Sequence, residues 1–396
     1  MIATFDIIWI ILFWTSVAAL FHSYVLFPLL LNVLAGKKTK PAPPCYTSSD
    51  APSVSVLISV FNEEEVIEAK IRSIFNTTYP LEKLHVIIGS DCSTDNTNNI
   101  IEKLKSEFPN LLFFPFSERQ GKPNVINKIF AHATGEIIIL TDANVILEPT
   151  TIPNLIRHYR DEKVGLVDTN MVNFGVKKDG ISVQEKAYLS REVMIKHRES
   201  VLWGAMIGPF GGCYSIRKSL YTPVPSNFLV DDFYINMQVL RKGYRAINDV
   251  EAVVHEDVSN NLNVEFRRKV RIATGNFQNL MTFVGMLWPP FSGKAFSFFS
   301  HKVLRWKGPF FILMAIISSA FLAAEENCFY FISLAGIVFL LLLPLLDAML
   351  KKFGIHIILL RFITHFVSMN IALLFGFFKF LKGVRTNVWK PTKRNQ

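Results

Sequence analysis

Asp91, Asp142, Asp231 and Asp232 each lie in a short loop, the first two directly after a run of β-branched residues, within a chain whose flanks are long and apolar. Loop carboxylates of this kind hold an oxygen-seeking cation or take a proton from a hydroxyl. Thr141-Asp142-Ala143-Asn144 follows the apolar run Ile137 to Leu140, so Asp142 and the Asn144 amide oxygen could bind one Mg²⁺ or Mn²⁺. An Asx turn uses the same residues. Asp231-Asp232 opens a helical stretch that runs from Phe233 to Arg241 and stops before Gly243. Acids suit a helix N-terminus, and two adjacent carboxylates also repel, which raises the pKa of one and makes it a general base.

Basic and glycine-rich segments accompany these acids. Glu265-Phe266-Arg267-Arg268-Lys269-Val270-Arg271 places Arg268 and Arg271 on one helical face, where they could clamp a diphosphate or sit on anionic lipid. Arg119-Gln120-Gly121-Lys122 is a basic turn ahead of a helix, whose N-terminus favours phosphate. Gly208-Pro209-Phe210-Gly211-Gly212 is too rich in glycine for a helix and points to close backbone approach to a ligand. It lacks the spacing of a dinucleotide or P-loop motif.

The elements that must position these groups follow from the apolar pattern. Half of the 396 residues are hydrophobic, 19% are charged and 35 are phenylalanine, too apolar for an ordinary soluble domain. The formal charge of +10 then fits an anionic membrane leaflet, and no basic, aromatic-interleaved stripe for nucleic acid is present. Four scattered cysteines give neither a disulfide framework nor a zinc site. Residues 1–36 read as a retained N-terminal transmembrane anchor rather than a cleaved signal, because the apolar stretch is long and contains Pro28. Residues 37–52 read as a linker.

Residues 53–280 alternate short apolar runs with amphipathic stretches, the pattern of a mostly parallel α/β sheet. Strands are predicted at Val54 to Val60, His85 to Gly89, Leu112 to Pro115, Glu136 to Leu140, Val164 to Asp168 and Glu251 to Val254. Helices are predicted at Glu64 to Phe75, Thr97 to Glu107 and Pro123 to Ala133. Ligands of such sheets sit beyond the carboxyl ends of strands, where Asp91 and Asp142 fall. Residues 281–300 suit an interfacial segment, 301–380 a set of C-terminal transmembrane helices and 381–396 a basic tail. Three crossings after a cytosolic domain would leave that tail outside, whereas its charge places it inside. Arg361 and His365 interrupt the last apolar stretch, so part of it is expected to lie in the interface or re-enter.

In order, these pieces resemble the membrane-anchored family 2 glycosyltransferases, the group of cellulose, hyaluronan, chitin and poly-N-acetylglucosamine synthases and their smaller relatives. The resemblance covers roughly Pro52 to Trp306 and extends loosely to Trp389-Lys390-Pro391-Thr392-Lys393-Arg394. It implies an α/β GT-A (nucleotide-diphospho-sugar transferase-like) domain with flanking transmembrane α-helices. Val60-Phe61-Asn62-Glu63-Glu64 is similar to the family's opening strand and turn, which implies donor contacts for Asn62 and Glu63. Ser90-Asp91-Cys92-Ser93-Thr94-Asp95 is similar to its D-x-S-x-D loop, with Asp91 reading the nucleobase, and Gly121-Lys122 to its G-K turn near the nucleotide. Asp142-Ala143-Asn144 takes the D-x-D position, with Asn144 replacing the last Asp and lowering the charge on the metal. Val230-Asp231-Asp232 resembles the tripeptide whose final Asp, here Asp232, is the base. Arg268-Lys269-Val270-Arg271-Ile272 resembles Q-x-x-R-W, keeping Arg271 but carrying Arg268 for Gln and Ile272 for the aromatic that faces the acceptor in processive synthases.

The resemblance therefore implies an inverting transferase at the cytosolic face of a bacterial-type inner (plasma) membrane. It implies a nucleotide-sugar donor, UDP-linked by analogy, and a polysaccharide or lipid-linked acceptor. Asp232, Asp231 and Arg271 would be catalytic, and Asn62, Glu63, Asp91, Lys122, Asp142 and Arg268 would bind donor. Asp142 and Asn144 would hold Mg²⁺ or Mn²⁺, and Gly211, Gly212 and Asp232 would meet the acceptor. His255 or Glu256 offers a further ligand. The lipid bilayer is a partner, and an export or assembly partner is possible in principle. The alternatives are addition of a single sugar to a polyprenyl-type lipid, and a non-catalytic membrane protein that binds or transports nucleotide sugars.

Overall fold

The computed structural model describes residues 4–36, 38, 42–174, 182–257 and 262–388; the tail motif from Trp389 to Arg394 lies outside them. Among the described residues eight strands form one mixed sheet: β1 Val54–Val60, β2 Leu84–Asp91, β3 Leu111–Phe116, β4 Ile137–Thr141, β5 Ile146–Leu147, β6 Val164–Phe174, β7 Cys213–Arg217 and β8 Arg245–Asp257. Their order is β3-β2-β1-β4-β7-β6-β8-β5. β1 pairs in parallel with β2 and β4, β2 with β3, and β6 with β8, while β7 runs antiparallel between β4 and β6 and β5 runs antiparallel to β8. The predicted parallel sheet is thus present, with β7 inserted as its antiparallel joint.

Alternation along the central strands builds two cores. Val54, Val56, Ile58 and Val60 of β1 and Ile137 and Ile139 of β4 enter one. Leu57 of β1 and Ile138 and Leu140 of β4 enter the other. Near-continuous apolar runs are what a sheet covered on both faces requires. The first core is closed by helices Ile67–Phe75, Thr97–Glu107 and Thr151–Arg157. The second is closed by helices Lys122–Phe130, Asp231–Arg241 and Leu262–Phe283 and continues into Phe298, Val303 and Trp306. Phe233 packs on Trp306 (5.2 Å between ring centres), and Phe277 on Phe377 (5.1 Å), so the α/β domain and the C-terminal helices share this core.

Helix Ile67–Phe75 starts three residues later than its apolar pattern predicts. The preceding residues are spent on a turn. Asn62, at φ +52, accepts from Thr94 N (2.8 Å) and gives its own N–H to Ser93 Oγ (3.1 Å), and Glu63 N donates to Thr97 Oγ1 (2.9 Å). Backbone committed to the Ser93–Thr97 loop cannot enter a helix.

Among the described residues three helices are long and apolar enough to cross a membrane: Asp6–Ala35, Cys328–Lys352 and Ile358–Leu381. The pair Gly293–Trp306 and Gly308–Ala324, bent by 61°, qualifies if taken as one span. The first is distorted at His22–Leu26, just before Pro28. Pro28 has no N–H to give Tyr24 O, and Arg191 of helix Ser182–Trp203 donates to that carbonyl instead. Helix Ile358–Leu381 turns Ile358, Leu359, Phe362, Phe366, Ile371, Phe375 and Phe378 outward and buries Arg361, Thr364, His365 and Asn370. It packs along helix Leu262–Phe283, with Gly376 against Ala273 and Phe380 near Phe277.

Candidate active site

The carboxyl ends of β1, β2 and β4 open on one cavity of about 370 Å³. Glu63, Asp91, Lys122, Asp142, Asn144, Gly211, Gly212, Asp231, Asp232, Arg268 and Arg271 all line it. Asn62 is absent from the lining: its amide binds Thr94 and holds the loop behind the cavity. One sequence-predicted set, spread over some two hundred positions, is thereby gathered at one site.

Asp91 ends β2 and is only 2% exposed. Its carboxylate accepts from Gln120 N (2.6 Å), Gly121 N (2.9 Å) and Arg119 Nε (3.2 Å), so it fixes the basic turn that the sequence placed before a helix. The Arg119 guanidinium carbon in turn lies over the Phe61 ring, 3.3 Å from its centre. Gly121 adopts φ +84, a backbone state that a side chain would strain, and Lys122 begins the helix behind it.

Lys122 reaches the centre of the cavity. Its Nζ lies 2.7 Å from Asp142 Oδ1, 3.5 Å from Gly211 O and 3.8 Å from Asp231 Oδ2. Burial opposes the ammonium charge, but Asp142, Asp231 and Asp232 outweigh it and hold the pKa above the ordinary lysine value. Asp142 is held by its N–H to Gly212 O (2.8 Å), and the Asn144 amide nitrogen donates to Glu256 Oε1 (2.9 Å). Behind this loop stands Lys70, fully buried, donating to Thr141 Oγ1 (2.7 Å) and to Val145 O. Burial pulls its pKa down to about 8.

Asp231 and Asp232 occupy the first turn of helix Asp231–Arg241. Burial first, and then the charge of Asp231, push the Asp232 carboxyl up to about 7, with Lys122 opposing. The glycine loop runs past it. A Cβ on Gly211 would overlap Asp232 Oδ2, and one on Gly208 would meet Phe233 at 2.9 Å, so these positions leave no room for side chains. The loop is pinned by Phe210 N to Asp168 Oδ1 (2.8 Å) and Gly208 N to Asn236 Oδ1 (3.2 Å). Asp168 is itself paired with Lys196 at 2.6 Å.

Arg268 and Arg271 enter from helix Leu262–Phe283. Arg271 donates to Leu229 O (3.2 Å), just ahead of Asp231, and burial with the nearby Arg268 lowers its pKa. Arg268 is paired with Glu265 at 3.0 Å. The remaining wall comes from helix Ser182–Trp203, which contributes Glu185, Tyr188, Glu192 and Lys196, together with Lys302 and Asn387. None of these six was singled out from sequence. Lys70 left a visible signal, since it shares the buried face of its helix with Ile67, Ile71 and Ile74.

Residues 55–222 match the family model described as Glycosyl transferase family 2. This stretch, rather less than half of the chain, is similar to family 2 glycosyltransferase domains. The chain is 26% identical over 257 residues to the probable glycosyltransferase YdaM of Bacillus subtilis (strain 168), covering 60% of this chain and 59% of that one. It is also 26% identical over 233 residues to the poly-beta-1,6-N-acetyl-D-glucosamine synthase of Staphylococcus aureus (strain COL), covering 58% and 55%. The chain thus spans less than two thirds of either relative. Among solved structures, the mannosyltransferase PcManGT from Pyrobaculum calidifontis, in complex with GDP-Man and Mn2+, superposes with a TM-score of 0.70 at 23% identity, over 93% of this chain and 99% of that one. At that identity the likeness is one of fold, and the α/β domain has the GT-A-like fold.

Proposed function

We propose that the protein is an inverting glycosyltransferase that moves a sugar from a nucleotide-sugar donor to a polysaccharide or lipid-linked acceptor at the cytosolic face of a membrane. The observation that carries this reading is Asp232, half-buried beside the glycine loop, with its carboxyl pushed up to about 7. A base of that pKa is about half ionised at neutral pH and remains basic enough to accept a hydroxyl proton. Asp232 takes the proton of the acceptor hydroxyl while its oxygen attacks the anomeric carbon, and the bond from that carbon to the donor phosphate breaks with its electron pair leaving on the nucleoside diphosphate. Lys122 and Arg271 face the charge that develops on this leaving group. Asp91, Arg119 and Phe61 form the end of the cavity suited to the nucleoside.

Asp142 and Asn144 supply hard oxygens suited to Mg²⁺ or Mn²⁺, and Glu256, bonded to Asn144, is a third oxygen group in the same wall. Among the described residues no cluster of three or more His, Cys, Asp or Glu forms a complete protein cage. Few protein ligands is the usual arrangement for a cation shared with substrate phosphates. When bound, such an ion neutralises the diphosphate.

The helices support this orientation. Exposed Trp288 and Phe291 suit the interfacial role of residues 281–300, and the outward apolar stripe of helix Ile358–Leu381 lies on lipid while its polar face rests on the catalytic domain. A second reading, addition of one sugar to a lipid-linked acceptor, is favoured by Ile272, which lines the cavity without an aromatic platform.

The deciding assay is nucleotide release by the purified protein with UDP- and GDP-sugars, Mg²⁺ or Mn²⁺ and membrane-lipid extract. Asp232→Asn is expected to lose about 10²-fold to 10⁴-fold in kcat with nucleotide affinity retained. Near-normal turnover by that variant removes Asp232 as base, and retention of anomeric configuration removes the mechanism. Product length on a gel separates a polymer from a single addition.

A further inference from the structure

Residues 383–388 follow the last helix, and Gly383, at φ +82, turns the chain there. The segment returns to the catalytic domain. Asn227, in the loop ahead of helix Asp231–Arg241, donates through Nδ2 to Val384 O (3.4 Å), and Val388 N donates to Thr386 Oγ1 (3.1 Å). Asn387 is thereby set into the wall of the active-site cavity, 3% exposed, against Gly121. The fit is close, since a Cβ on Gly121 would overlap Asn387 Oδ1.

Both side-chain heteroatoms of Asn387 are buried, and among the described residues neither has a hydrogen-bond partner. Buried amides are nearly always paired, and an orphan at a cavity wall calls for a partner that arrives with the ligand. Its surroundings identify that partner. Gly121 donates its N–H to Asp91, Arg119 lies over Phe61 two residues earlier, and Lys122, one residue later, carries the ammonium at the cavity centre. Asn387 therefore stands where the nucleoside end of the cavity meets the phosphate end. An amide presents a donor and an acceptor side by side, which matches the edge of a nucleobase or a ribose hydroxyl; a phosphate would use only the donor.

The geometry points to Asn387 as a donor-binding residue that helps set nucleotide specificity, contacting the nucleoside of a nucleoside diphosphate from the segment beyond the last apolar helix. This rests on the nucleotide-sugar reading above. Donor binding and the seating of residues 383–388 are then one event, because the contact exists only while the segment lies on Gly121.

The test uses the full-length protein in lipid nanodiscs with Mg²⁺ and three probes, UDP, GDP and ADP, binding being measured calorimetrically for the unmodified chain, Asn387→Ala and Asn387→Leu. Both variants are expected to bind the preferred nucleoside diphosphate about tenfold more weakly, the loss of one to two good hydrogen bonds, and to discriminate less among the three. Their Tm without nucleotide stays level or rises, because an unpaired buried amide has been removed, and the nucleotide-induced rise in Tm shrinks. Unchanged affinity and preference would overturn the assignment. So would a fall in the nucleotide-free Tm that accompanies the loss of affinity, since the side chain would then be structural. If the unmodified chain binds none of the three, the nucleotide-sugar reading falls and this assignment with it, an outcome distinct from the other two.

Discussion

Asp231 and Asp232 are neighbours in sequence, yet they sit in different surroundings. Asp231 faces the Lys122 ammonium at 3.8 Å, whereas the Asp232 carboxyl lies beside Gly211 and is pushed up to about 7 by burial and by Asp231. A base must be ionised to act, so kcat/KM for the donor should rise as pH increases through about 7 and level off above it. The two contacting charges displace this limb in opposite senses. Asp231→Asn removes a repelling charge and should move the limb to lower pH, while Lys122→Met removes an attracting one and should move it to higher pH. A pH–rate profile for each variant checks the pair, and a limb that stays in place in both would mean that another group titrates. Gly211→Ala offers a steric counterpart. Its Cβ would displace the Asp232 carboxylate, so turnover should fall by about 10²-fold or more while nucleotide affinity holds, read from kcat and a nucleotide Kd side by side.

Helix Ser182–Trp203 shows how one element can escape sequence reading while joining the parts of the site. Its buried face carries Gln184, Glu185, Glu192, Lys196 and Glu199, so the apolar stripe that betrays a helix is missing. Each charge is matched from far along the chain: Glu185 by Lys269 (2.6 Å) and His365 (3.0 Å), Glu192 by His301, Lys302 and Arg305, Lys196 by Asp168. No local window contains both partners. By contrast β1 and helix Thr97–Glu107 were legible to the residue, because their cores are filled by Val, Ile and Leu at period 2 and by Ile101 and Leu104 at helical spacing. The antiparallel strand Cys213–Arg217 was illegible for another reason: five residues with a central Ser215, directly after the glycine loop, give too short a run. Cavity-lining residues on loops after strands were readable one motif at a time, and those on this helix, together with Asn387, were not. The ion pairs also make a stability prediction. Burial alone would raise the Glu185 pKa, and Lys269 and His365 more than offset it. Lys269→Met leaves that carboxylate buried with half its partners gone and should cost about 3–5 kcal/mol, seen as a lowered Tm; adding Glu185→Leu should recover most of it.

At the scale of the whole chain the question is how many times it crosses the bilayer, which charge counting in the loops left in conflict. Helix Ile358–Leu381 is long enough to span, yet His365 is bonded to Glu185 near one end and Phe380 packs near Phe277 at the other. Beyond it, Asn387 lies on Gly121 at the active site. A helix that touches the same domain in its first half and again at its end, and whose following segment returns to that domain, is expected to stay on that domain's side of the bilayer. Length and hydropathy alone could not distinguish this arrangement from a span, because the outward face is as apolar as a crossing helix and the buried polar face is spread through the same window. The expected count is one crossing before the catalytic domain, one outward in the bent pair that ends in Gly308–Ala324 and one back through Cys328–Lys352. Glu325 and Glu326 then lie on the far side and Lys351 and Lys352 on the near side, the sense that the charge bias requires. Two native cysteines report on it without mutation. Cys45 and Cys328 are both exposed, the first just ahead of the catalytic domain and the second at the start of the returning helix. A membrane-impermeant maleimide added to intact cells should label Cys328 and spare Cys45, with Cys45 reacting only after the membrane is opened. Labelling of Cys45 alone would reverse the orientation. Equal protection of both would mean that the bent pair stays in the near leaflet and that the catalytic domain shares its side with every loop that follows.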